Sequence, residues 1–332
     1  MSATSAENKT PAIAGGRAVA PGWLVGPRFD LLFIANIAWP LLLLLQLGDG
    51  FSGREGLRFW QLYYITTPHR WITLLIVFSD RGRFRERRVA FLALAACAIV
   101  LCLGVRLTTG ALTCLLAIDY IWNAWHFASQ HHGIYRIYSR RAGPLPTSGQ
   151  TLEKWSMRGF LLYVILRVAS ATWSDATWEP IFATADWFAL LVPIGLVVRD
   201  VSLPRGNSAG RTTYLISVCC IYVSLLWAVH ERSFGLLLAL STASALFHAI
   251  EYLALVSWSV RQHHTTQSNE MGVLSYFVPR WGTALALFMV ILGAGGWLAD
   301  QRYVEAWLTI NVIVAFLHYA YDGLIWRRRG GG

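Results

Sequence analysis

Charge is scarce in this chain. Only 14% of its 332 residues are Asp, Glu, Lys or Arg, against roughly 25% in soluble globular proteins. Other things are missing too. There is no CxxC pair, and Cys97, Cys102, Cys114, Cys219 and Cys220 all fall within apolar runs, so they read as small packing residues rather than disulfides or zinc ligands. There is no phosphate-binding glycine loop of the GxxxxGK[ST] type and no GxSxG nucleophile elbow. The apolar run Leu31–Leu47 is followed by "GDGFSG" and not by a small-residue cleavage site, which excludes a cleavable signal peptide.

What is present is apolar. Hydrophobic residues make up 55% of the chain, with 16 tryptophans and 13 tyrosines. This is the composition of a polytopic membrane protein, and length here counts helices, not soluble domains. The net charge of +10 comes mostly from arginines in short clusters between apolar runs, which is topology information and not a nucleic-acid surface.

Runs long enough to cross a bilayer, about 20 residues each, predict spans at 31–48, 57–79, 89–108, 111–135, 156–174, 181–198, 212–230, 234–260, 275–299 and 303–326. Arginines cluster after every second span: Arg81, Arg83, Arg85, Arg87 and Arg88; Arg136, Arg140 and Arg141; Arg199, Arg205 and Arg211; Arg261; and Arg327, Arg328 and Arg329. The alternate connections carry little net positive charge. The positive-inside rule then predicts an all-α bundle of about ten transmembrane helices with both termini cytoplasmic, in a bacterial inner membrane. Residues 1–29 read as a disordered cytoplasmic tail and residues 30–328 as the transmembrane domain.

Ionisable groups deep in a membrane helix are costly and usually mark a site. His69, His126, His248 and His318 lie in four even-numbered spans, roughly 8 to 12 residues before the arginine-rich ends. At 1.5 Å per residue that is about 12–18 Å below the boundary, so the four fall in one layer. Each sits on a polar stripe at helical spacing: Thr66, His69, Thr73; Asp119, Asn123, His126, Gln130; Ser241, Ser244, His248, Glu251, Tyr252; and Asn311, His318, Asp322. Imidazoles with carboxylates form a donor set for iron, zinc and related ions. Glu251 and Asp322 are then further ligands or bases, or groups that orient an imidazole. One intramembrane histidine can simply hydrogen-bond to a neighbouring helix; four at one depth point to a metal.

His131 and His132 lie nearer the arginine-rich end and read as additional ligands or as the polar end of the helix. His126 and His131 stand about 140° apart around the helix. His230, His263 and His264 read as solvated. Arg70 is expected to pair with Glu251 or Asp322, or to bind an anionic substrate group together with Asn123 and Gln130. Arg167 is expected to pair with Asp186. Pro68 is expected to kink or widen its span just before His69.

The patches "PHR" (Pro68–Arg70), "WHF" (Trp125–Phe127), "FHAIEY" (Phe247–Tyr252) and "LHYAYD" (Leu317–Asp322) resemble the Brp/Blh-type carotene-cleaving membrane oxygenases. "HFASQHH" is more loosely similar to the histidine boxes of membrane desaturases and hydroxylases. The closer resemblance implies one ferrous iron held by His69, His126, His248 and His318. The resulting expectation is a membrane oxidoreductase with mono- or dinuclear non-haem iron, acting on a hydrophobic lipid or isoprenoid, with Tyr252 beside the site and a possible electron-donor protein. Two other functions fit the same residues: a b-type haem electron-transfer protein with bis-histidine ligation, and a proton-coupled transporter with a His/carboxylate relay.

Overall fold

The computed structural model describes residues 20–48, 62–143, 149–173, 177–203, 208–267 and 271–326. Residues 1–19, 57–61, Arg205 and Arg327–Arg329, on which part of the predicted tail, second span and arginine clusters fall, lie outside the described residues.

Every regular element among the described residues is helical. In chain order they are α1 (Pro27–Phe29), continued by a π-helical turn (Asp30–Ile34); α2 (Trp39–Gly48); a π-helical turn (Leu62–Thr66) leading into α3 (Thr67–Ser79); α4 (Arg81–Glu86); α5 (Arg88–Thr109); α6 (Thr113–Ala142); α7 (Gln150–Trp173); α8 (Glu179–Ser202); α9 (Ala209–His230); α10 (Phe234–Gln267); α11 (Leu274–Phe277); and α12 (Trp281–Ile325). Six stretches are long and apolar enough to cross a membrane. α6 and α7 have the length but fall outside that set, because polar and charged residues interrupt their apolar sequence. The outward surface is apolar as well: on α8, Trp187, Phe188, Leu191, Ile194 and Val198 are all more than half exposed, a surface that suits acyl chains and not water.

The longest helix is two limbs. Tyr303 leaves the helical region at φ −136°, ψ 46°. A straight helix would separate Gly296 from Trp307 by about 16 Å, yet a Cβ added to Gly296 would lie 2.5 Å from the Trp307 ring. The chain therefore turns back at Tyr303, and the absent side chain of Gly296 is what lets the limbs close. This break falls on the first residue of the expected span 303–326, directly after the connection expected at 300–302.

Pro68 sits in the first turn of α3, where its missing N–H costs nothing, directly after the π-helical turn Leu62–Thr66. The span widens just before His69, as the sequence suggests. Residues 20–29, counted with the tail above, pack on the bundle: Leu24 is fully buried and its N–H donates to Asp30 at 2.6 Å.

Arginine-rich segments meet at one end of the bundle. Arg83 reaches Ser259 (3.3 Å), Arg87 donates to the Leu324 carbonyl (2.5 Å), and Arg136 binds Gln150 (2.9 Å). Acidic and mixed pairs occupy the other end, including Tyr63–Asp300 (2.6 Å) and Arg106–Glu305. Three apolar clusters lie among the described residues: one around the arginine-rich half of α6 with α7, α9 and α10, a second around α5, α6 and α12, and a third around α3, α10 and α12. The histidines sit where these clusters meet.

Candidate metal centre

Four helices bring the predicted layer together. His69 comes from α3, His126 from α6, His248 from α10 and His318 from the second limb of α12; all are buried, His248 and His318 completely. Ring centroids are 5.1 Å apart for His69–His318, 5.4 Å for His69–His248, 5.1 Å for His126–His248 and 4.7 Å for His126–His318. Donor atoms of His69, His248 and His318 lie within 4.8 Å of one another. Nε2 of His126 and Nε2 of His318 are 3.1 Å apart. Metal–imidazole bonds of about 2.0–2.1 Å place neighbouring ligand nitrogens about 2.8–3.4 Å apart at octahedral to tetrahedral angles, so this pair already has the spacing of two ligands on one ion.

Hydrogen bonds fix the protonation of His318. The Tyr252 hydroxyl donates to Asp322 Oδ1 (2.8 Å). Thr73 Oγ1 is 2.7 Å from that hydroxyl and 2.7 Å from His318 Nδ1. Tyr252 has spent its proton on Asp322, so Thr73 donates to Tyr252 and must accept from His318 Nδ1–H. The Nε2 lone pair of His318 is thereby aimed at His126. Asp322 Oδ1 also accepts from Trp326 Nε1 (2.5 Å), and Oδ2 lies 3.8 Å from His126 Nδ1. Asp322 thus faces His126 and not His318, its own i−4 neighbour. Phe127 stacks on the His248 ring with centroids 3.7 Å apart and holds its plane.

A second donor group adjoins the first. His131, His248 and Glu251 bring ligand atoms within 4.8 Å of one another, all buried. Glu251 Oε1 receives Gln130 Nε2 at 2.8 Å and lies 3.2 Å from His131 Nδ1; Oε2 receives the Tyr214 hydroxyl at 3.0 Å. His126 and His131 do point apart on α6, and His248 lies between them. Several ring nitrogens have no hydrogen-bond partner: His69 Nδ1, His131 Nε2 and both nitrogens of His248. A buried polar atom left unpaired costs about 1–3 kcal/mol. A packing role alone carries that cost at each of these atoms, whereas a bound cation removes it. The residues fit a metal on both counts, spacing and unpartnered donors.

The remaining candidates fall elsewhere. His132 is buried with Nε2 unpartnered but belongs to neither donor group. Arg70 pairs with neither Glu251 nor Asp322, whose oxygens serve the partners above; its electrostatic neighbours are Asp119 and Tyr319. It also lies close enough to His69, His126 and His318 to act on them electrostatically. The Tyr319 hydroxyl lies 3.0 Å from Asp119 Oδ1 and 3.1 Å from Asn123 Oδ1, so Asn123 belongs to this polar group. Arg167 pairs with Asp186 (3.3 Å) as expected, and also with Glu179 (2.6 Å). His230 is not solvated: it sits 3.3 Å from Asp186, between Trp187 and Trp227. His263, read as solvated, lies 3.4 Å from the buried Asp80.

A cavity of about 1060 Å³ reaches the site. His126, Gln130 and Asp322 line it together with Trp122, Trp125 and Tyr319. Arg70, Asn123, Glu251 and Tyr252 are not among its lining residues. A separate apolar cleft of about 530 Å³, bounded by Phe29, Phe33, Trp281 and Met289, has no histidine in its lining. Thr73 and Tyr214 complete the site's hydrogen bonds. Thr73 lies on the His69 stripe, but its role was readable only with α12 in place, and Tyr214 sits in a helix whose sequence carries no other mark of the site. Comparison with family models, curated proteins and solved structures finds no match.

Proposed function

We propose that this chain is an integral membrane oxidoreductase that holds non-haem iron in the histidine cluster and oxygenates, hydroxylates or desaturates a lipid or isoprenoid. The reading includes ten spans, with the arginine-rich end and both termini on the cytoplasmic side of a bacterial inner membrane. The observation that carries it is the 3.1 Å approach of His126 Nε2 to His318 Nε2, with His69 and His248 placing donor atoms within 4.8 Å of a His318 nitrogen. Imidazole donors with nearby carboxylates suit iron.

His69, His126, His248 and His318 would hold the ion, which supplies dioxygen activation when bound. His131 with Glu251 is the place for a second ion in a dinuclear form. Thr73 sets the tautomer of His318. Asp322 favours a proton on His126 Nδ1 and so keeps Nε2 free to ligate. Tyr252 acts as a positioning residue, because its hydroxyl is engaged by Asp322 and Thr73; Glu251 is held beside His131 by Gln130 and Tyr214. The cavity admits substrate past Trp122 and Trp125. A hydroxylase or desaturase draws electrons from a donor protein; a dioxygenase does not.

Geometry supports bis-histidine haem less well. Axial nitrogens on one haem iron stand about 4 Å apart, given metal–nitrogen bonds of about 2.0–2.1 Å, with a macrocycle between them. Here the His126 and His318 nitrogens are closer than that, and the rings touch edge to face. To test the enzyme reading, lipid extracts of cells expressing wild-type chain and His126→Ala are compared by mass spectrometry, with and without air. A dioxygen-dependent product made only by wild type is expected. Identical extracts from the two strains would remove the enzyme reading.

A further inference from the structure

The cavity that reaches His126 carries a second chemical signature in its walls. Its lining includes Arg136, Arg140, Arg141 and Arg158, and one carboxylate, Asp322, which is committed to the His126 side of the site. Arg136, Arg140 and Arg141 occupy the last turns of α6. Arg158 lies two turns into α7, with its guanidinium 5.4 Å from the centre of the Trp125 ring.

Arginines within a bilayer are normally paired. One helix face further on, Arg167 is held by both Glu179 and Asp186. Arg158 has no such partner among the described residues, and its Nε is buried without a hydrogen bond. The hydroxyl of Ser129 and the indole N–H of Trp258, both from cavity-lining residues, are buried and unpartnered as well. Arg136 is engaged by Gln150 (2.9 Å) and Glu153 (3.7 Å), but three buried hydrogen-bond donors left without acceptors, Arg158 Nε among them, describe a receptor for an anion. The rest of the lining mixes tryptophan and aliphatic residues, including Trp122, Ile134, Ile137 and Leu255, with His126, Gln130, Ser259 and Tyr319. At about 1060 Å³ the space is at the upper end of small-molecule sites, far larger than a free anion needs.

We propose that this cavity binds a long-chain amphiphile whose anionic head, a carboxylate or phosphate, is held by the arginine wall with Arg158 as its inner anchor, while its hydrocarbon chain runs past Trp122 towards His126. The proposal rests on the oxidoreductase reading for what happens to the chain, but not for its binding. The substrate class is thereby narrowed from neutral hydrocarbons to acidic lipids or prenyl compounds. Donor groups unsatisfied in the protein are satisfied by the head, which is where binding selectivity arises.

The test measures equilibrium binding of radiolabelled hexadecanoate, hexadecyl phosphate and hexadecanol to the full chain in phosphatidylcholine nanodiscs. Both anions are expected to bind at least tenfold tighter than the alcohol. Arg158→Gln is expected to remove most of that difference while leaving hexadecanol within about twofold, and Arg158→Lys to restore part of it. Should Arg158→Gln not fold, Arg140→Gln combined with Arg141→Gln, at the exposed mouth, gives the same comparison with a smaller expected loss. Competition by dioleoylphosphatidylglycerol assigns the site to an anionic membrane lipid, and its failure to compete assigns it to a single-chain amphiphile; either result supports the proposal. Equal affinity for hexadecanol and hexadecanoate overturns it, as does competition by inorganic phosphate as strong as that by hexadecyl phosphate. His126→Ala separates the two readings, since it is expected to lose the metal and keep the anion preference.

Discussion

Replacing Thr73 by valine probes the site without touching a ligand. The hydroxyl accepts from His318 Nδ1–H at 2.7 Å and donates to Tyr252 at 2.7 Å. Valine matches threonine in shape and supplies neither bond. The His318 Nδ1–H is then buried without an acceptor, and nothing holds the tautomer that presents the Nε2 lone pair to the ion. Losing a hydrogen bond behind a metal-binding histidine typically costs 10–100-fold in affinity, or about 1.4–2.7 kcal/mol. The assay is competition against a chelator, with metal occupancy read on folded protein in detergent. Thr73→Val is expected to shift the midpoint by one to two decades, and Thr73→Ser, which keeps the hydroxyl, by much less. If valine and serine variants both hold metal as wild type does, Thr73 does not orient His318 and the hydrogen-bond chain to Asp322 is structural only.

Other consequences follow from other parts of the fold. Gly296→Val places methyl groups where the Trp307 ring stands, within 2.5 Å of the Cβ position, so overpacking of about 1–3 kcal/mol should lower the thermal unfolding temperature in detergent; an unchanged transition would mean the two limbs of α12 do not close as described. Arg167→Leu removes the arginine from Asp186 and Glu179, which keep Tyr163 and His230, and Arg232, respectively, so a destabilisation below the roughly 3–5 kcal/mol of a buried charge left unpaired is expected, with no change in metal content, because this ion-pair group lies at the opposite end from the arginine cluster. Reporter fusions in the α4 segment Arg81–Glu86 are expected to report the cytoplasm, and a periplasmic signal there would invert the proposed topology.

The helices were legible because apolar runs separated by arginine clusters leave few ways to cross a bilayer, but α6, α7 and α10 run six or seven residues past the predicted spans at their arginine-rich ends, where polar residues continue the helix. The histidine layer was legible for a related reason: depth follows from counting residues back from each arginine-rich end. Rotation about each helix axis was not legible. Arg70 is adjacent to His69 in sequence, yet its acidic neighbour is Asp119 and not Glu251 or Asp322. Asp322 was readable as a partner of the site, but whether it faced His318 or His126 depended on how α12 meets α6. The paired state of His230 depended on Asp186, which comes from a different helix and whose arginine partner alone was anticipated. Tyr214 could not be found from sequence at all, since a lone tyrosine in an apolar helix has many roles. The turn falls at Tyr303, one residue past the expected connection, and only the close approach of Gly296 to Trp307 shows how tightly it closes.

Metal analysis of the purified chain, together with its optical spectrum, bears most directly on the histidine cluster. After anaerobic reconstitution the account predicts one or two iron ions per chain, no Soret band, and loss of that iron in both His126→Ala and His318→Ala. A Soret band would make the cluster a haem site. Folded protein that retains no metal, or that retains it unchanged in both variants, would contradict the central claim.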